Sequence, residues 1–206
     1  FDKANIDRVV KNFSINRLKV NEQIQSIQKS LKEVFSAIEK GIMPTREKTE
    51  PISDALIKLV KEYPSESINA LISSEFVVSY EIKAIISGII GILMSESLDM
   101  KKSEVSNLVL ASLFHDIGMI SVPKDIREKQ TKLTRQEFDL LKLHLIKSAR
   151  LTTEQLYYPK EVGEIIMQHH ERYDGSGYPE GLEKDEISLS ARILSLTDTF
   201  SAMICR

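Results

Sequence analysis

The chain has 206 residues, enough for one or two domains with a buried core. Its 28 basic and 30 acidic side chains leave a formal net charge of −2, which excludes the basic surface expected of a duplex nucleic-acid binder. A small anionic ligand needs only a local cluster of positive charge and is compatible with this balance. The single cysteine, Cys205, excludes an intramolecular disulfide and predicts a reducing, cytoplasmic location.

Hydrophobicity predicts neither a secretory signal nor a membrane span. The most apolar stretch, Ala84 to Met94, is too short to cross a bilayer. Only eight glycines and six prolines interrupt the chain, which favours an all-α fold. The chain starts at Phe1 rather than Met and stops at Arg206 in an apolar, helix-like segment, so we expect a piece of a longer protein.

An amphipathic helix is predicted from Phe1 to about Ile42, ended by Gly41 and Pro44. Apolar residues recur in it at steps of three and four: Ile24, Ile27, Leu31, Val34, Phe35 and Ile38. Such a stripe indicates a helix that packs on its own domain. A homodimer formed through the same helix is the second interpretation.

A second helix is predicted at Ser53–Tyr63, ended by Pro64, and a short third at Ile68–Ile72. A long apolar helix from Glu75 to about Leu98 should form the buried centre, with glycines at 88 and 91 allowing a close neighbour. We therefore expect an N-terminal helical lead-in at residues 1–74 and a second unit at 75–206.

The later chain predicts four more helices and one long loop. Thr134 and Glu137 have the spacing of a capping box, and the stretch Tyr173–Gly181 is too rich in glycine for regular structure. The helices are expected at Ser103–Phe114, Thr134 to about Leu156, Lys160–His170, and from Ser188 to the end.

All four histidines lie in this later part, as His115-Asp116, His144 and His169-His170. Imidazole and carboxylate without thiolate suit a hydrolytic Fe, Mn or Zn centre. Consecutive residues on a helix diverge by about 100°. The His-His pair can therefore share a site only near a helix end, whereas Asp116 can serve a second metal by bridging.

The order of the motifs is more specific than the histidine count. HDIG at 115–118 is followed by Val122-Pro123, by Lys132-Leu133-Thr134 with Glu137, and by His144. HHERYDGSGYP follows at 169–179, and Ala191-Arg192-Ile193-Leu194 precedes Asp198. From about Phe76 onward the chain resembles the HD-GYP family of HD-superfamily phosphohydrolases, which hydrolyse the bacterial messenger cyclic di-GMP.

The resemblance implies a helical bundle of the HD-domain type with a metal centre between helices. It also implies hydrolysis of the cyclic di-GMP phosphodiester to pGpG or GMP, with His115 and Asp116 as catalytic residues. One or two divalent transition metals, Fe or Mn, are expected. The implied ligands are His115, Asp116, His144, His169, His170 and Asp198. Gly177, Tyr178 and Pro179 would lie beside the dinucleotide, and this loop can also dock another signalling protein.

Three positions depart from the family pattern. The ligating His expected one helix before HDIG falls on Lys83, with Ser79 at the Glu position of some members. The Lys after HDIG is Met119, and the second Asp of the last motif is Ser201. We expect a weakened centre with one firm ion held by Asp116 and the later histidines. Lys83 can instead replace the missing cation and bind phosphate.

Two functions therefore stay open from the sequence. The first is a metal-dependent cyclic di-GMP phosphodiesterase. The second is a catalytically impaired module that binds cyclic di-GMP or a partner protein. A purely structural role would require the histidines to be ordinary core residues, which the specific run at 169–179 argues against.

Overall fold

The computed structural model describes residues 3–72 and 79–205. Within these ranges the chain forms helices, turns and one isolated antiparallel bridge, so the all-α prediction is confirmed. The helices are α1 Lys3–Glu39, α2 Arg46–Glu62, α3 Pro64–Ile72, α4 Tyr80–Ser97, α5 Lys102–Phe114, α6 Lys124–Arg127, α7 Arg135–Arg150, α8 Lys160–Gln168 and α9 Leu189–Ile204. Ile117–Ser121 and Lys184–Glu186 are short 3-10 helices, and Leu151–Gln155 is a short π-helix.

The apolar stripe of α1 lies against the rest of the bundle as predicted. Val20, Ile24 and Leu31 are fully or almost fully buried where α1 crosses α2, α3 and α4. Gly41 ends the helix with a φ of +76°, a left-handed conformation that favours glycine. The amide of Ile42 then donates to the carbonyl of Ala37 at 2.8 Å, which satisfies one of the last carbonyls.

The predicted first residues of the next two helices are wrong, because both helices contain a proline. Helix α2 begins at Arg46, seven residues before the predicted Ser53, and carries Pro51 inside its second turn. Helix α3 begins at Pro64, which the sequence had suggested only as a terminator. Proline suits the first helical position because the amide hydrogen there has no intrahelical partner. The predicted start of α4 at Glu75 and the predicted domain boundary after residue 74 lie outside the described residues.

Helix α4 lies at the centre, packed against α2, α5 and α9. Gly88 and Gly91 allow this close approach, as predicted from their spacing. A Cβ atom at Gly88 would lie 2.8 Å from Leu56 Cδ2, and one at Gly91 would lie 3.3 Å from Leu108 Cδ2. A continuous hydrophobic core extends from Val20 to Leu194 through these helices.

Helix termini then set the positions of the polar residues. The capping box at the start of α7 is confirmed: the Glu137 amide donates to Thr134 Oγ1 at 3.3 Å, and the Thr134 amide donates to Glu137 Oε2 at 2.7 Å. Helix α5 ends at Phe114 and α8 at Gln168, each directly before a histidine. None of the helices in the described ranges has the length and apolarity needed to span a bilayer.

The burial of α1 makes a stability prediction. Leu31 is 0% exposed and Leu18, on the same helix, is 60% exposed. Leu31→Ala should lower the free energy of unfolding by about 2–5 kcal/mol, because it removes buried methyl groups and leaves a cavity. Leu18→Ala should change it by less than about 0.5 kcal/mol. Urea unfolding followed by circular dichroism measures both, and equal losses would show that α1 is not part of the core.

Candidate metal centre

The histidines meet because two helices end where the motifs begin. His115 directly follows the last residue of α5, and His169 directly follows the last residue of α8. Past a helix end, consecutive side chains are no longer held about 100° apart. Asp116 can therefore turn toward the same centre as His115, and the rings of His169 and His170 lie 4.0 Å apart. The predicted need for a helix end at the His-His pair is confirmed.

Three imidazoles are oriented by their own helices. The Nδ1 atom lies 2.9 Å from the Ser112 carbonyl for His115, 2.7 Å from the Leu141 carbonyl for His144, and 2.7 Å from the Ile166 carbonyl for His169. A carbonyl oxygen only accepts, so each Nδ1 carries the hydrogen. Each Nε2 then lies on the side of the ring opposite this bond, the usual arrangement of a metal-bound histidine.

These Nε2 atoms lack a hydrogen-bond partner in the described structure, although all three are buried. The rings converge: centroids lie 5.0 Å apart for His115 and His169, and 5.8 Å apart for His144 and His169. Buried polar atoms normally find a hydrogen bond, and leaving one without a partner costs about 1–3 kcal/mol. Buried Nε2 atoms that lack hydrogen bonds and belong to converging rings fit the binding of cations.

Two carboxylates complete the cluster. Asp116 places Oδ2 3.5 Å from His115 Nε2 and Oδ1 3.6 Å from His144 Nε2, so it lies between the two rings. Asp198 of α9 places Oδ1 3.4 Å from His115 Nε2. The predicted bridging role of Asp116 stays a prediction, because Asp116 is in neither group of donor atoms that is close enough to hold one ion.

The donor atoms form two sets, and the atoms inside each set lie within 4.8 Å of one another. One set is His144, His169 and His170, and the other is His115, His169 and Asp198. The sequence had suggested a different division of the ligands, in which His169 binds only the firmly held ion. In the structure, His169 belongs to both sets.

The electrostatics of the cluster show how it handles charge without a cation. Burial opposes charge on His115, but Asp116 and Asp198 outweigh it and raise the pKa of this imidazole to about 9. Burial and the neighbouring His144 lower the pKa of His170 to about 4, and burial with His170 lowers the pKa of His169. Although burial opposes it, His115 also holds the pKa of Asp198 well below its usual range. Neutral imidazoles and ionised carboxylates are the forms that bind divalent metals.

A buried glutamate that the sequence analysis passed over organises the loop after the histidines. Glu171 Oε1 accepts from the amides of Glu180 and Gly181 at 2.7 and 3.1 Å, and Oε2 accepts from Leu182 at 3.1 Å. Gly177 packs against the 171–172 peptide so closely that no Cβ fits there. The glycine is thus needed for the loop itself, and its expected place beside the dinucleotide stays a prediction.

This loop sets Tyr178 over the centre. The Tyr178 ring stacks on the His170 ring at 4.8 Å with an interplanar angle of 26°. Its peptide bond to Pro179 is cis. The glycine of HDIG has a related packing role, because a Cβ at Gly118 would collide with the His144 carbonyl. Its amide donates to Ser148 Oγ at 2.8 Å, which ties the turn to α7.

The positions that depart from the family pattern lie outside the ligand sets. Lys83, half-buried on α4, forms no ion pair with Asp116 or Asp198 in the described structure. Ser79 caps α4 by accepting from the Ile82 amide at 3.3 Å. Ser201 donates to the Asp198 carbonyl at 2.9 Å. Met119 lies in the 3-10 turn after Asp116. None of the four replaces a missing metal ligand.

Comparison with known families decides the membership. Residues 66–206 match the family described as HD domain. The chain belongs to the HD domain family. The match begins within α3, before the boundary expected after residue 74.

Relatives of this HD domain carry phosphodiesterase names. It is 38% identical over 114 residues to "Cyclic di-GMP phosphodiesterase" of Thermotoga maritima, covering 55% of this chain and 31% of that protein. It is 38% identical over 113 residues to "Cyclic di-GMP phosphodiesterase response regulator RpfG" of Xanthomonas campestris pv. campestris, which covers 54% of this chain and 30% of that protein. The chain thus spans about a third of the length of these relatives. The resemblance to the HD-GYP family is confirmed.

A solved structure shares the fold of this HD domain. "Bd1817, a HDG"Y"P protein from Bdellovibrio bacteriovorus" superposes with a TM-score of 0.75 at 19% identity, covering 92% of this chain and 61% of that one. At this identity the likeness establishes the architecture. The predicted HD-type helical bundle is therefore confirmed.

The shared position of His169 predicts unequal effects on metal binding. His169→Ala removes a donor from both sets, whereas His170→Ala and Asp198→Asn each remove a donor from one. We expect His169→Ala to lower the number of Mn(II) ions bound per chain more than either other variant. Elemental analysis after equilibration with Mn(II) measures this, with circular dichroism to check folding. Three ions retained by the unaltered chain would contradict a weakened centre.

Proposed function

We propose that this HD domain hydrolyses a phosphodiester bond of cyclic di-GMP, to pGpG or on to GMP. The observation that carries the proposal is the set of three buried Nε2 atoms that make no hydrogen bond and lie beside the carboxylates of Asp116 and Asp198. The names of the relatives support the choice of substrate, since several are cyclic di-GMP phosphodiesterases. The mechanism belongs to the class of metal-assisted hydrolysis.

The centre fits one or two divalent ions, which we propose to be Fe or Mn. Such ions, when bound, lower the pKa of water toward about 7 and stabilise the charge that develops on phosphate. Asp116 would bridge the two donor sets, and His115, His144, His169, His170 and Asp198 would complete them. The Nδ1 bonds to backbone carbonyls keep the rings in place, so little reorganisation accompanies metal entry.

The loop after the histidines is the proposed substrate wall, with Gly177, Tyr178 and Pro179 beside the dinucleotide. Tyr178 already lies on His170, so a phosphate at the metals would be adjacent to its ring. Lys83 is a further proposed contact, whose positive charge would replace the missing cation and bind phosphate. The single cysteine is the support for a cytoplasmic location.

The alternative function is a module that binds cyclic di-GMP or a signalling partner without turnover. The observation in its favour is that Lys83 and Met119 stand where the family has a ligating His and a Lys. A cluster that keeps its geometry but loses a ligand can still recognise the substrate.

Turnover separates the two functions. Protein loaded with Mn(II) or Fe(II) should convert cyclic di-GMP to pGpG or GMP. The double variant His115→Ala, Asp116→Ala should fall to the background rate, since it removes the bridging carboxylate and a ligand of one set. Anion-exchange chromatography of the nucleotides measures the products.

A matched control variant tests whether the loss of activity is specific to the metal centre. Asp125→Ala changes an exposed carboxylate on α6, outside both donor sets, and should retain full activity. Tight binding of cyclic di-GMP without any product would overturn the enzymatic proposal and favour the binding module.

We also propose that the lead-in, residues 1–74, supports a homodimer. Before the buried Val20, apolar residues of α1 recur at steps of four and three through Ile6, Val10 and Phe13, and Arg17 interrupts the pattern. Ile6 and Val10 are exposed in the described structure. A heptad spacing of this kind suits a parallel two-stranded coiled coil.

Light scattering coupled to size exclusion tests the dimer. The chain has a mass of 23.4 kDa, so a dimer should elute with twice that mass. Val10→Glu places a charge in the stripe and should shift the protein to monomer. Lys11→Glu changes the neighbouring exposed residue outside the stripe and should leave the mass unchanged. A monomeric unaltered chain at high concentration would contradict the proposal.

A further inference from the structure

A second cluster extends from the metal centre along α7. The Tyr178 ring, stacked on His170, also meets the Phe138 ring edge-on, with centroids 5.5 Å apart and an interplanar angle of 75°. The Lys142 Nζ lies 4.6 Å from the Phe138 centroid and 5.2 Å from the Tyr178 centroid. A cation and two aromatic rings thus form one ledge next to a proposed metal ligand.

Helix α7 fixes this ledge relative to the centre. Phe138 and Lys142 are four residues apart, which places them on one face of the helix. The capping box at Thr134 sets the start of α7, and His144 on the same helix enters the metal cluster. The ledge and the ligand are therefore parts of one rigid element.

The ammonium group of Lys142 is available to an anion. Its acidic partner in the described structure is Asp139, at 3.5 Å, and their side chains are 30% and 59% exposed. An exposed pair of this kind is worth little. Lys129 is different, because its Nζ donates to both oxygens of Glu137 at 2.6 and 2.7 Å. The Lys142 ammonium group instead makes cation–π contacts with the Phe138 and Tyr178 rings.

A cyclic dinucleotide presents two phosphates and two bases. The metal centre can neutralise one phosphate, and the second needs a positive group elsewhere. Met119 carries no charge, and Lys83 is already proposed to replace the missing cation at the centre, so neither supplies this second group. Phe138 is 38% exposed, so a ring face or edge is open to a base. Stacking of bases on aromatic side chains is the common way in which proteins hold unpaired nucleotides.

We propose that Phe138 and Lys142 form a substrate-binding ledge, in which Lys142 pairs with the phosphate that does not contact the metals and Phe138 stacks on a base. This inference rests on the proposed function, because it takes a cyclic dinucleotide as the substrate. Both residues bind substrate, and neither contacts the reacting phosphate. The ledge would therefore act on affinity and on the choice of substrate.

A pair of lysine variants tests the ledge. Lys142→Gln should raise the KM for cyclic di-GMP roughly tenfold, the effect expected for loss of a hydrogen bond to a charged group, with little change in kcat. Lys142→Arg should restore most of the affinity. Lys147→Gln removes an exposed charge from the same helix and should change neither constant.

A small substrate separates binding from a structural effect. Bis(p-nitrophenyl) phosphate has one phosphate and no base, so Lys142→Gln and Phe138→Leu should hydrolyse it as the unaltered protein does. An equal loss on both substrates, or a lower Mn(II) content, would mean that the residues act through His144, and the ledge would be overturned. An unchanged KM for cyclic di-GMP in Lys142→Gln would overturn it as well.

The outcome for the unaltered chain keeps the two proposals apart. If it binds cyclic di-GMP without turnover, the enzymatic proposal fails, and the same comparison is made on the Kd by calorimetry. A weaker Kd in Lys142→Gln but not in Lys147→Gln then supports the ledge. A chain that neither binds nor hydrolyses cyclic di-GMP contradicts both proposals.

Discussion

Three hydrogen bonds from imidazole Nδ1 atoms to backbone carbonyls are the constraint on which the site depends. Each bond runs to the residue three positions earlier, so the helix that carries the histidine also fixes its ring. The three Nε2 atoms are thereby held close together in the core, without a hydrogen-bond partner in the described structure. Such an arrangement lowers stability unless something fills the space, which is why it indicates a bound cation rather than ordinary core histidines.

The features that the sequence predicted well are those with local causes. Thr134 and Glu137 satisfy each other's backbone amides, so four residues were enough to place the start of α7. The His-His pair required a helix end, and α8 ends at Gln168 as that geometry demands. Motif order rather than spacing predicted the HD-GYP family.

The features that the sequence did not predict depend on contacts between distant segments. Helix α2 continues through Pro51 because its face of Ile52, Leu56 and Leu59 is buried in the core, which outweighs one lost hydrogen bond. Glu171 reads as one more charged residue, and only the folded loop shows that its carboxylate binds three amides. The double role of His169 likewise requires α5, α7, α8 and α9 to be placed together.

The site can therefore lose a ligand without losing its shape. The described donors come from the ends of α5 and α8 and from α7 and α9, whereas α4 carries Lys83 at the position of the missing histidine. Each remaining ring is held by its own backbone, so this substitution alters the affinity for an ion rather than the positions of the other ligands. The set predicted to be weakened is the one containing His115, where Asp116 and Asp198 raise the pKa of the imidazole to about 9, so that an ion must displace its proton. The proposed turnover thus depends on how tightly this one set binds metal, whereas the proposed recognition of the substrate by the loop around Tyr178 does not.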